Sequence, residues 1–171
     1  MFVGFGIAIA ACVLVMLVVG ALHYGALPAR HGNLTPGHLT SLITALLNQG
    51  YSGGTLTFQV RKRDAFLQMM KYVGRKRSGI QLDFPLARWS EKYYDRARTV
   101  LAARGIGFVE ENTGRTDTKS FLTVDFGTDV SVATRVVRLL AGEVLGVDME
   151  HDMVAYFQNV SRNPNDRIGL R

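Results

Sequence analysis

The residues of this 171-residue chain able to carry chemistry are four histidines, one cysteine and scattered carboxylates and hydroxyls. Metal sites place their ligands at short helical or turn spacings, and His23, His31, His38 and His151 with Cys12 offer no such pattern. Glu110 and Glu111 are chain neighbours, so on a strand they point to opposite faces and cannot serve one substrate as acid and base. A phosphate cradle needs a glycine-rich loop followed by Lys and a helix, whereas Gly50, Gly53 and Gly54 lead into a strand pattern. Ser90 and Ser120 lack His and Asp partners at any informative spacing and read as a helix cap and a strand residue. Tyr93 and Tyr94 beside Trp89 read as core and staple rather than as a binding cage. The chain is therefore expected to be non-enzymatic, with no catalytic residue, no metal ligand and no cofactor site.

Its charge distribution is more informative. No Asp, Glu, Lys or Arg occurs before Arg30, and Phe2 to Leu22 is an unbroken run of apolar and small residues. As a helix this run reaches roughly 30 Å, the thickness of a bilayer core, which predicts an uncleaved single-pass transmembrane anchor over residues 1–24. A cleaved signal peptide is the competitor, since Val19, Gly20 and Ala21 form an acceptable cleavage site, but Met1 to Gly4 lack the basic n-region such signals carry. Arg30, the nearest flanking cation, places the following domain in the cytoplasm by the positive-inside rule. Cys12 lies within the apolar run, leaving the rest without thiols, as suits a reducing compartment. Gly4, Gly6, Ala8, Ala10 and Ala11 form a small-residue surface at four-residue spacing, a candidate helix-docking face toward an integral membrane protein complex. His23 at the end of the run reads as interfacial rather than as a ligand to haem or pigment.

After a linker over residues 25–34, Thr35 and Pro36 offer an N-cap and first helical residue, and Leu39, Leu42, Ile43, Leu46 and Leu47 recur at helical spacing up to Gly50. The period then changes to two. Leu56, Phe58 and Val60, then Phe66 to Val73, then Ile80, Leu82 and Phe84 predict three strands joined by short turns into an antiparallel meander. A second helix follows Ser90, with Trp89 stapled onto Tyr94 and Gly105 past its end. Two more strands cover Phe108 to Glu111 and Phe121 to Phe126, and a third helix starts after Thr128 or Asp129 and ends at Gly146. The expected architecture is an α+β domain over residues 35–147, ordered α-β-β-β-α-β-β-α around an antiparallel sheet. Residues 148–171 are expected to be partly helical and then flexible; the run from Met153 to Phe157 also fits a strand.

Between Thr35 and Gly146 this order of elements resembles that of type III secretion chaperones and the related TY-Chap domains. The resemblance rests on element order and lengths, not on a motif. It implies a protein that binds protein partners through sheet and helix surfaces, commonly as a homodimer, without catalysis. The anchor and the basic charge depart from that pattern.

The chain carries a net charge of +6, and Arg61, Lys62, Arg63, Lys71, Arg75, Lys76 and Arg77 opposed only by Asp64 account for all of it. Such a cluster is a candidate contact for anionic lipid headgroups or an anionic partner. Its members fall on two turns that a meander sends to opposite ends of one strand. Nucleic acid is the disfavoured anion, because no RNP motif, KH loop or zinc finger accompanies the basic residues. Together these features predict an accessory or assembly subunit of a larger membrane protein complex. The alternative is an anchored, chaperone-like adaptor for a soluble protein client.

Overall fold

Two-residue alternation of apolar side chains runs through five of the strands, and it dictates a sheet with one dry face. The computed structural model describes residues 29–34, 37–112 and 118–160. The elements are β1 (Ala29–Asn33), α1 (His38–Gln49), β2 (Gly50–Val60), β3 (Phe66–Val73), β4 (Ser78–Ala87), α2 (Glu91–Ala103), β5 (Val109–Asn112), β6 (Thr118–Gly127), α3 (Val130–Leu139), α4 (Met149–Asp152) and β7 (Met153–Val160). The strands form one antiparallel sheet of seven in the order β1-β7-β2-β3-β4-β6-β5.

Leu56, Phe58 and Val60 of β2 are buried while Thr55, Thr57 and Gln59 are only half-buried, and β3, β4 and β6 repeat this pattern. The register aligns Phe58 with Leu67, Leu82 with Met69 and Val124 with Leu82, so the buried members meet across the ladder. Against them pack Leu39, Leu42, Ile43 and Leu46 of α1, Tyr94, Ala97 and Leu101 of α2, and Ala133, Val136 and Val137 of α3, in a single core. Helices on one face of an antiparallel sheet make this an α+β fold.

Local signals explain most of the boundaries. Asp129 caps α3 by accepting the Val132 N–H at 2.9 Å, and Gly105 and Gly146 sit in the left-handed region just past their helices, as helix stops require. Ser90 acts differently from the expected cap. Its Oγ makes no cap bond to α2 and instead folds back, accepting the Ala87 N–H at 2.9 Å and donating to the Pro85 carbonyl, so it ties off the end of β4. Trp89 likewise packs on Phe66 and Phe84, with ring centroids 4.7 and 6.1 Å away, in place of the expected staple onto Tyr94. After α3 the chain continues through Leu140–Leu145 in wider π-helical turns, which direct Leu140, Ala141, Val144 and Leu145 into the core. Thr35 and Pro36, expected to open α1, lie outside the described residues.

Two expectations about the architecture are corrected. The sheet gains β1 from the expected linker and β7 from the C-terminal segment, where Met153 to Phe157 takes the strand of its two expected forms, and β7 enters between β1 and β2. Only one helical turn, α4, forms before β7, because Met153, Ala155 and Phe157 pair with Val60, Phe58 and Leu56 and complete the dry face that β2 would otherwise leave open. Nor does the architecture led by a transmembrane helix stand: among the described residues no helix is long and apolar enough to cross a membrane. α2 has 13 residues, about 20 Å, and α3 with its π-helical continuation spans residues 130–145, both short of the roughly 20 apolar residues a span needs. Residues 1–24, including the small-residue face at Gly4, Gly6, Ala8, Ala10 and Ala11, lie outside the described residues.

The place of β7 makes a direct prediction. A chain ending after Asp152 loses Met153, Ala155 and Phe157 from the core, each apolar truncation of this size being worth about 2–5 kcal/mol for the larger side chains, and leaves β2 as a bare edge. It should lose its cooperative urea transition and aggregate, whereas a chain ending after Val160 should keep both secondary structure and transition by circular dichroism. Equal stability of the two would show that β7 is dispensable.

Candidate functional site

The surface with the most unusual composition is the sheet face opposite the helices. By register it carries Thr55, Thr57 and Gln59 of β2, Gln68, Met70 and Tyr72 of β3, Gln81 and Asp83 of β4, Phe121, Thr123 and Asp125 of β6, and Tyr156 and Gln158 of β7, with Val154 of β7 on the same side but buried. A sheet face exposed to water ordinarily collects Lys and Glu; here the charged groups on the central five strands are Asp83 and Asp125, with Lys119 at the start of β6.

Both carboxylates are held inside the face. Asp83 accepts from Gln81 Nε2 at 3.0 and 3.1 Å and from Thr123 Oγ1 at 2.8 Å, bonds that run along and across adjoining strands. Asp125 accepts from Tyr72 Oη at 2.8 Å and from the Gly127 N–H at 2.9 Å, and pairs with Arg77 at 3.2 Å. Burial pushes the Asp125 carboxyl up, but the Gly127 and Tyr72 hydrogen bonds and the Arg77 charge together outweigh it and hold the group below its ordinary range. Burial and the neighbouring Asp125 raise the Tyr72 phenol. Gln68 Nε2 donates to Thr57 Oγ1 at 3.3 Å, and Gln59 Nε2 to the carbonyls of Arg63 and Ala65 at 3.0 and 3.2 Å. The face is thus a self-satisfied polar lattice studded with Met70, Tyr72, Phe121 and Tyr156.

Of the seven clustered cations, the structure separates rather than gathers. Arg61, Lys62 and Arg63 lie on the β2–β3 turn, with Lys62 in the left-handed region at φ 60°. Arg75, Lys76 and Arg77 lie on the β3–β4 turn, closed by the Gly74 N–H donating to the Arg77 carbonyl at 2.8 Å. β3 has 8 residues, about 26 Å, between the two turns. Lys71 points to the helix side, where its Nζ donates to the Leu47 carbonyl at the end of α1 and offsets the negative end of that helix. Arg77 is engaged by Asp125 and stands 5.7 Å over the Tyr72 ring. The spacing of charges along the chain was legible; which ones serve the fold was not, because Lys71 and Arg77 acquire partners from α1 and β6.

The remaining chemical candidates have the following neighbours where described. Glu110 and Glu111 align with Leu122 and Phe121, on opposite faces of β5. Glu110 accepts from Tyr94 Oη at 3.1 Å, which is also 2.9 Å from Ser120 Oγ, and burial raises the Tyr94 phenol. His151 Nδ1 lies 3.0 Å from Asp148 Oδ2, and that hydrogen bond and charge raise the imidazole. Among the described residues no three His, Cys, Asp or Glu are grouped so as to hold a metal ion. Comparison of the chain with protein-family profiles, with curated proteins and with solved structures gives no match in any of the three.

The Asp125 lattice makes a pH prediction. A carboxyl held low in the folded state stabilises it above the ordinary carboxylate pKa, about 3.9, and that contribution is lost as pH falls through the folded value. Asp125→Asn should therefore destabilise the protein at neutral pH by at most about 1 kcal/mol, since the pair is solvent-screened, and the gap to wild type in urea titrations should close below about pH 4. A gap independent of pH would assign Asp125 a packing role only.

Proposed function

We propose that this chain is a non-catalytic accessory subunit that binds a protein partner through the uncovered sheet face. The observation that carries the reading is the composition of that face: aromatic and Met side chains interleaved with Thr and Gln, and carboxylates already satisfied by neighbours. Protein interfaces are enriched in aromatics and Met and depleted of charge at their centre, and surfaces whose polar groups are pre-paired lose little on desolvation. Five adjoining strands about 4.8 Å apart give the face a width near 20 Å, the scale of a standard interface.

A second reading is a chaperone-like adaptor that binds a soluble client, alone or as a homodimer. It is favoured by the run α1-β2-β3-β4-α2-β5-β6-α3, the element order in which the chain resembles type III secretion chaperones. Both readings use one surface and differ in what is bound and for how long.

Photo-crosslinking amino acids placed at Thr57, Gln81 and Thr123 on the open face, and at exposed Arg96 and Arg135 on the helices, test the shared claim. Adducts of one discrete size should form from the three sheet positions and not from the two helical ones. Adducts only from the helical positions, or none, would refute the sheet-face reading. Native size separation then distinguishes the two: a stable large assembly favours the accessory subunit, and a monomer or dimer with substoichiometric client favours the adaptor.

A further inference from the structure

The two ends of the sheet differ in chemistry. At the end where β2 begins and β3 finishes, Gly50 pairs with Val160 but Thr55 pairs with Gln158, so the chain from Tyr51 to Gly54 bulges out of the ladder. Gly53 supplies the left-handed backbone at φ +77° that the bulge needs. Tyr51 is 63% exposed at this protrusion, and Val73, at the same end of the adjoining strand, is 53% exposed. Among the described residues only one other large apolar side chain is so exposed, Val109 on β5. Directly after Val73 comes the turn that presents exposed Arg75 and Lys76. The carboxylates nearest this end are occupied internally, Asp125 by Tyr72 and Arg77 and Asp129 by the cap of α3.

The opposite end lacks this combination. There the turn at Arg61 to Asp64 carries its own acid, the backbone N–H of Arg61 donates to the Asp152 carbonyl, and α4 with its N-cap adds exposed Asp152 and Asp148. Chain connectivity adds a second asymmetry. Ala29 pairs with Phe157 and Val160 with Gly50, so β1 begins and β7 finishes at the Tyr51 end. The 28 residues preceding Ala29 contain no charged side chain, and residues 161–171 contain Arg162, Arg167 and Arg171 against Asp166 alone.

We infer that the end of the sheet bearing Tyr51, Val73, Arg75 and Lys76 docks on the surface of an anionic lipid bilayer. Tyr51 and Val73 enter the headgroup–acyl boundary, where tyrosine is favoured, and Arg75 and Lys76 meet the lipid phosphates. A nucleic acid fits less well, since a single-strand site needs a row of stacking rings and this end offers one exposed ring beside an aliphatic side chain. In this orientation the strands stand away from the membrane and the open sheet face remains accessible from the side. The inference is independent of what that face binds.

The test uses the full chain with vesicles of phosphatidylcholine alone or mixed with phosphatidylglycerol, their acyl chains brominated to quench tryptophan. In a Trp89→Phe background, Tyr51→Trp should be quenched by mixed vesicles and not by phosphatidylcholine alone, whereas Lys62→Trp at the opposite end should be unquenched by both. Separately, in the otherwise unaltered chain, Arg75→Glu with Lys76→Glu should weaken sedimentation with mixed vesicles by about 25-fold or more, each cation near an anionic surface contributing about fivefold. Lys62→Glu with Arg63→Glu should leave it unchanged. Equal quenching at positions 51 and 62, quenching without anionic lipid, or vesicle binding indifferent to the Arg75 and Lys76 reversal would overturn the inference. So would tighter binding of the same turn to a single-stranded oligonucleotide than to the vesicles.

Discussion

One-sided burial governs this molecule. Three short helices cover a single face of a seven-stranded antiparallel sheet, so β2, β3, β4, β6 and β7 present a side chain inward at each second residue. A register slip of one residue would exchange the dry and polar faces of a strand, placing Thr and Gln beneath the helices and Leu and Phe in water. The constraint explains why β7 belongs to the sheet: β2 needs a neighbour on its outer side to cover Leu56 and Phe58, and Ala155 and Phe157 match them in register. It also explains the other face, which is left without a helical cover among the described residues and satisfies its polar groups laterally.

That lateral satisfaction shapes the electrostatics. The seven cations between positions 61 and 77 form a dense block in sequence, yet antiparallel hairpins send successive turns to opposite ends of the sheet. Charges separated by the length of β3 lie beyond a Debye length, ~8 Å at physiological salt, and act as two local fields. Lys71 is drawn to the carbonyl end of α1 and Arg77 to Asp125, so part of the block stabilises the fold. Gly79 shows how tightly that corner is built: a Cβ there would lie 2.5 Å from Tyr72 Oη and 2.6 Å from the Gly127 carbonyl. What remains for a partner is concentrated at two small tips of different character.

The two proposed surfaces are compatible because they occupy different parts of the sheet. A bilayer contact at the end of the strands and a protein contact on their open face require no residue in common except the margin at Tyr72 and Asp125. The basic, partly apolar tip lies at the strand ends and the charge-poor face at their side, so occupancy of one leaves the other accessible.

Periodicity and stop signals in the amino-acid sequence determined the α+β class, the meander and three amphipathic helices. These properties depend on residues a few positions apart, where side-chain spacing decides local geometry. Met153 to Phe157 suited a helix or a strand equally, and only the vacant edge of β2, nearly 100 residues earlier in the chain, selected the strand. β1 was equally hidden, because a five-residue edge strand with glycine has no pattern of its own and forms by pairing with β7. Likewise the Asp83 and Asp125 lattice, the diversion of Lys71 and Arg77, and the placement of Tyr51 and Val73 at one end all require strands brought side by side. Those pairings are long-range, and no local preference encodes them.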